Sequence, residues 1–200
     1  MNTNTTNAKN YLAIARNPKF LLFVFAGVAM AVTLMVRLLP GHVPNFTPMG
    51  ALALFTGVYL ARYSKWWVLM PLAAMFASDL FIGFYEWRIM AAVYGGFLIY
   101  SLLGLIVSRY KNAITIFGTG ALGAVLFYLV TNFAVWAFSG VYTLTLGGLI
   151  ESYVLAIPFF RSTIIGDLVF TGLFFGAYEG AVWLLRTQKT SALLGALRIK

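Results

Sequence analysis

Apolar runs alternate with short polar gaps along nearly the whole chain, and their lengths predict helices that cross a bilayer. A hydrocarbon core needs roughly 20 apolar residues per helix, within a range of about 17–25. Runs at 20–39, 47–61, 66–84, 89–108, 113–138 and 163–185 meet or approach that length. The second is short and follows Pro44 and Pro48, so it is expected to begin irregularly or to cross a thin region. The fifth is long enough to tilt. Between the fifth and sixth lies Ser139 to Arg161, too apolar for an ordinary loop, with Gly147-Gly148 reading as a break and Pro158 near its end.

The cations decide how these runs are threaded. Lys9, Arg16 and Lys19 precede the first run, Arg62 and Lys65 follow the second, and Arg109 and Lys111 follow the fourth. Arg186, Lys189, Arg198 and Lys200 close the chain, while only Arg37, Arg88 and Arg161 fall in the other gaps. Cytoplasmic loops carry the excess of Lys and Arg, so this alternation predicts a multi-pass protein with both termini cytoplasmic. A seventh span at 139–161 would move the last four cations outside. The predicted fold is therefore an all-α six-helix membrane bundle with a re-entrant or interfacial outer segment before the last helix. Residues 1–19 form a polar cytoplasmic leader, 20–185 a single membrane domain and 186–200 a basic cytoplasmic tail.

Composition supports the same class, with 62% hydrophobic residues, 10% charged residues and a mean hydropathy of +0.89. The formal charge of +9 flanks apolar runs, which points to the anionic cytoplasmic leaflet of the bilayer and away from nucleic acid. With no cysteine, disulfides, thiolate nucleophiles and cysteine metal sites are excluded. No Ala-x-Ala-like cleavage site follows the first run, which is expected to remain as a helix.

Only five carboxylates occur, so each placement carries information. Asp79 near the end of the third run, Asp167 near the start of the sixth, and Asn132 in the fifth all fall at one predicted level, the outer third of the bundle. Arg161, Glu151, Glu86 and Arg88 share that level. Ionisable groups inside a membrane usually face a cavity or a partner. Two readings of Asp79 and Asp167 stand side by side: pairing with Arg88 and Arg161, or contact with a ligand. Asn132 reads first as a helix–helix hydrogen bond, with ligand contact as its alternative. Glu179 reads as an interfacial residue near Arg186.

The segment from Arg37 to Pro48 holds Pro40, Pro44 and Pro48, and is expected to be stiff: either a site wall or lid, or a plain connector. His42, the only histidine, reads as a solvated loop residue, and no metal or other cofactor is expected. Gly118-Thr119-Gly120-Ala121-Leu122-Gly123 matches a dinucleotide fingerprint literally, but lies in an apolar span and reads as helix packing. Gly27 and Ala31 form a small-residue face, read first as internal packing and otherwise as a docking face for a partner. No catalytic constellation or nucleotide-binding motif occurs, so no enzyme activity is expected, and active transport would need an ion gradient or a separate ATPase.

Four blocks carry a resemblance: Arg37 to Phe55 with its Pro44-Asn45-Phe46-Thr47-Pro48 core, Pro71 to Phe84 with Ser78-Asp79, Val130 to Trp136 with Thr131-Asn132, and Tyr153 to Phe175 with Pro158-Phe159-Phe160-Arg161 and Gly166-Asp167. Together they resemble a family of uncharacterised bacterial inner-membrane proteins across most of 37–180. In size and layout that family is similar to the substrate-binding S-components of energy-coupling-factor transporters. The resemblance implies that Asn45, Thr47, Asp79, Asn132, Arg161 and Asp167 line a site for a vitamin-like small molecule. It also implies that Gly27 and Ala31 dock an energy-coupling transmembrane subunit served by ATPases. The alternative is a structural or assembly protein of the cell envelope, which would have a filled outer bundle and no small-molecule substrate.

Overall fold

The computed structural model describes residues 17–41 and 43–197, with 188–197 as backbone only. The leader through Arg16, with Lys9, lies outside the described residues, as do His42, Arg198 and Lys200. The described residues form six α-helices and no strand.

Helix α1, Pro18–Leu38, starts where the Asn17 side chain accepts from the Lys19 amide at 3.0 Å and Pro18 supplies a pre-set first position. It ends before Pro40, which cannot continue a helix. Helix α2, Met49–Phe55, runs into a π-helical turn at Thr56–Leu60. A 3₁₀ turn at Lys65–Leu69 leads into α3, Met70–Ile82, which stops at Gly83 with a φ of 107°. Helix α4, Trp87–Val107, is capped by Glu86, whose carboxylate accepts from the amides of Arg88 and Ile89 at 2.8 and 2.9 Å. Helix α5, Ala113–Phe138, opens with a reciprocal cap between Asn112 and Thr115. Helix α6 runs from Leu146 to Leu197.

Five helical stretches are long and apolar enough to cross a membrane; Met49–Leu60 is apolar but shorter. Large apolar side chains such as Trp66, Phe81, Ile114 and Leu173 are exposed on the outside, whereas Asp79, Asp167, Ser78, Ser101 and Thr171 are buried. An apolar exterior around a polar-containing interior suits lipid as the surrounding solvent. This is a multi-pass membrane architecture.

The short second run is the centre of the bundle. Every residue from Pro48 to Ala61 is buried. The close approach depends on small residues. A Cβ at Gly57 would run into the Ser101 carbonyl of α4, and one at Gly104 into the Leu54 carbonyl of α2. Phe55 and Tyr59 from this element pack with Phe175 and Tyr178 of α6, and Phe25 of α1 joins at Phe55 and Tyr178. These rings fill one half of the interior.

That half ends where the described cations gather. Lys19 and Arg62 lie over the Tyr63 ring, and Lys111 sits over the Tyr59 ring and pairs with Glu179 at 3.5 Å. Glu179 also accepts from Tyr59 at 2.5 Å. We call this the basic end. The opposite end carries the 39–48, 83–86 and 139–145 connections, and is called the loop end.

The largest departure from expectation is α6. The expected outer segment at 139–161 is not a separate element: the connection is only Ser139–Thr145, and one helix continues through Pro158 into the last apolar run. Gly147-Gly148 begin the helix instead of breaking it. The Gly148 amide donates to Thr145 Oγ1 at 3.2 Å, and a Cβ on Gly148 would meet the Thr143 carbonyl. These glycines let the loop fold back over the first turn. Tyr128 of α5 donates to the Tyr153 carbonyl, Gly172 faces Phe117, and Lys111 meets Glu179, so the two helices run antiparallel from the loop end to the basic end. Beyond Glu179, α6 continues without interruption into the region expected to be the basic tail.

Candidate functional site

A cavity of about 420 Å³ opens at the loop end. Its first wall is the proline-bearing connection. Asn45 adopts a left-handed backbone with a φ of 61°, a conformation asparagine tolerates better than most residues, and the Phe46 amide closes a turn onto the Val43 carbonyl. The connection rests on Gly166 of α6, where a Cβ would lie 3.3–3.4 Å from Phe46 and Thr47. Phe46 also meets the Phe170 ring. Asn45 and Thr47 thereby line the cavity as a built wall.

Helices α5 and α6 supply the facing walls. On α5 the lining residues recur at helical spacing, Phe127 and Tyr128, Thr131 and Asn132, then Val135. On α6 the stripe is Ala156, Phe159 and Phe160, Thr163 and Asp167. Asn132 uses its Nδ2 on the Tyr128 carbonyl of its own helix at 2.8 Å, and Thr131 likewise donates to the Phe127 carbonyl. The interhelical bond expected of Asn132 does not form. Its amide oxygen is left as an acceptor.

Asp167 is 3% exposed and lies at the base of the cavity. Tyr100 of α4 donates to Asp167 Oδ2. A Cβ on Gly50, in the first turn of α2, would collide with the same carboxylate, so glycine there is what makes room for it. No cation of the described residues stands within ion-pair distance of Asp167; the expected pairing with Arg161 does not occur. Arg161 itself is exposed and does not line the cavity. It shares the right level with Asp167 but points off the helical stripe that faces inward.

Asp79 is 1% exposed and stands behind the cavity wall, not on it. Arg37 donates to Asp79 Oδ1 at 2.6 Å and Tyr94 donates to Oδ2 at 2.8 Å. The partner is thus Arg37, not the expected Arg88, whose guanidinium lies over the rings of Trp87 and Phe138. Arg37 does line the cavity, and its Nε is buried with no partner. Tyr85 lines the same mouth; burial, reinforced by the Asp79 charge, pushes its phenol above the ordinary range, and Arg37 opposes that shift.

Asn45, Thr47, Asn132 and Asp167 are therefore brought together, Asp79 is held behind them through Arg37, and Arg161 is left out. Arg37, Tyr100, Gly50 and the aromatic wall escaped the sequence reading as site residues. Arg37 was visible as one of three cations outside the basic gaps, on the same side as the polar cluster and a candidate partner for it. Tyr100 sits inside an apolar run without any motif around it.

The small-residue face of α1 is turned outward. Gly27 and Ala31 are exposed, and nothing lies within 4 Å of a Cβ placed on Gly27. Internal packing, the first expectation, falls instead to Ala26, Ala29 and Thr33. In the glycine pattern of α5, Gly123 packs against the Tyr100 ring and Gly120 faces Leu54 and Thr171, while Gly118 meets nothing.

No curated protein and no solved structure matches the chain. Residues 15–192 match DUF6580, a family of unknown function, and the chain belongs to that family.

Proposed function

We propose that this protein is a membrane-embedded binding subunit that captures a small molecule for uptake, in the manner of an S-component, with a separate ATPase module supplying energy. The observation that supports the reading is the loop-end cavity, whose volume lies in the range of about 300–1,000 Å³ typical of small-molecule sites. Its apolar and aromatic walls carry a few converging polar atoms, from Arg37, Asn45, Thr47, Asn132 and Asp167. Asp79 acts by holding Arg37. The concentration of cations at the other end supports an orientation with the basic end toward the cytoplasm and the cavity outward, in a bacterial inner membrane with both termini inside. Gly27 and Ala31, exposed on α1, offer a coupling subunit a close helix contact.

An envelope assembly protein would have this region packed with side chains, so the cavity favours capture. The test is a thermal-shift screen of the purified full chain against vitamins and cofactor precursors, with native mass spectrometry for a retained ligand. A ligand at about 100 times its Kd stabilises by about 2.7 kcal/mol, well within detection. A screen without stabilisation, together with a spectrum of bare protein, would overturn the reading.

A further inference from the structure

The polar atoms of the cavity are unequal in kind. Arg37 brings a positive charge, but Asp79 already offsets it at 2.6 Å. Asp167 brings a carboxyl group that pairs with no cation of the described residues, and its one hydrogen bond comes from the Tyr100 hydroxyl. The Asn132 amide group gives one N–H to the Tyr128 carbonyl and keeps its oxygen as an acceptor. Tyr128 and Thr131 also direct their hydroxyl hydrogens to backbone carbonyls. Among these lining groups, Asp167 is the buried carboxyl group without an ion-pair partner among the described residues, while the Arg37 guanidinium is already paired.

The walls add a second, independent preference. Phe97, Phe127, Tyr128, Phe159 and Phe160 all line the space. Aromatic faces carry negative quadrupole charge and attract a cation in a desolvated site. An ionised carboxylate buried without an ion-pair partner is costly in a low-dielectric interior, and a ligand cation relieves that cost.

We infer that the cavity takes a small organic cation, an amine carrying an apolar or aromatic body, with its ammonium on Asp167. This rests on the capture reading above and names the ligand class for the same site. The Asp167 carboxylate supplies the charge preference, Tyr100 positions it, and the aromatic wall holds the ligand body.

The experiment is calorimetric titration of the full chain in lipid nanodiscs, with empty nanodiscs as the blank. Three probes share one ring system and differ in charge: tryptamine (cation), tryptophol (neutral) and 3-indolepropionate (anion). The expected result is tryptamine binding at least about tenfold tighter than either of the others, as a charge-assisted hydrogen bond implies. Asp167→Asn, which keeps an acceptor for Tyr100, is expected to remove that preference. Should the variant fail to fold, the charge series on the native chain decides by itself. Equal or tighter binding of tryptophol or 3-indolepropionate, blocked by Ala156→Trp, would overturn the cation assignment and leave capture standing. No binding by any probe overturns the assignment too, and the vitamin and precursor screen then judges capture separately.

Discussion

Arg37 reaches from the end of α1 to donate to Asp79 of α3 at 2.6 Å, while its Nε is buried without a hydrogen-bond partner. One side chain therefore links two helices and lines the site. The pair is partly buried, with 17% of the Arg37 side chain and 1% of the Asp79 side chain exposed. Breaking it from the Asp79 side strands a guanidinium. Asp79→Ala is expected to cost about 3 kcal/mol, the low end for a buried pair because Arg37 keeps some exposure. Replacing both partners, Arg37→Met with Asp79→Leu, is expected to recover most of that loss. Unfolding in a mixed-detergent titration measures both. Equal loss in the single and double variants would show that the pair does not set stability.

Asn132 makes its hydrogen bond within its own helix, which separates binding from folding at this position. Asn132→Ala is expected to change stability by no more than about 1 kcal/mol, the net worth of one such bond. Affinity for the ligand found in the screen should fall several-fold. A thermal shift without ligand, set against one with ligand, distinguishes the two effects.

Two glycines on facing helices should respond in opposite directions. Gly50→Ala drives a methyl group into the Asp167 carboxylate, and is expected to destabilise by about 1–3 kcal/mol through overpacking. Gly27→Ala meets empty space on the exterior, and is expected to stabilise the isolated chain by about 0.5–1 kcal/mol through helix propensity. Gly27→Leu extends that logic to the proposed coupling subunit. It should leave the isolated chain folded and weaken only co-purification with a membrane partner.

The absence of cysteine makes orientation directly measurable, since any introduced thiol is unique. Trp66→Cys and Tyr110→Cys lie exposed at the basic end, and Val141→Cys and Leu144→Cys lie exposed at the loop end. In intact cells, a membrane-impermeant maleimide is expected to label the second pair alone. Opened membranes should allow all four to react. Labelling of the first pair in intact cells would reverse the topology.

How far the chain could be read depended on which coordinate was asked for. Depth along the membrane was legible: α5 spans 113–138 as its apolar run does, and Asp167, Asn132, Asn45 and Thr47 do converge at one end. Rotation about each helix axis was not. Helices α4 and α5 are apolar on all sides, because lipid and protein interior make similar demands, so no polar face marks the inside. Arg161 shares the depth of the site, and the resemblance placed it there, but its rotation about the helix axis leaves it exposed and off the cavity lining. Partner choice failed for the same reason, since Arg37 and Arg88 share a depth but only Arg37 turns toward Asp79. The course of 139–161 was obscured by Gly147-Gly148, which resemble a helix break until the loop they admit is visible.

The fully enclosed element from Met49 to Leu60 also bears on how the protein is made. At about 1.5 Å of rise per residue it extends about 18 Å, well short of the roughly 30 Å hydrocarbon core. Such a segment is a poor passenger for insertion by itself, yet every other helix is arranged around it. Its entry must be coupled to that of α1 before it and α3 behind it, so that the three partition into lipid as one unit. The rate of biogenesis should then depend on those flanking helices being synthesised first and last around a core that lipid never touches.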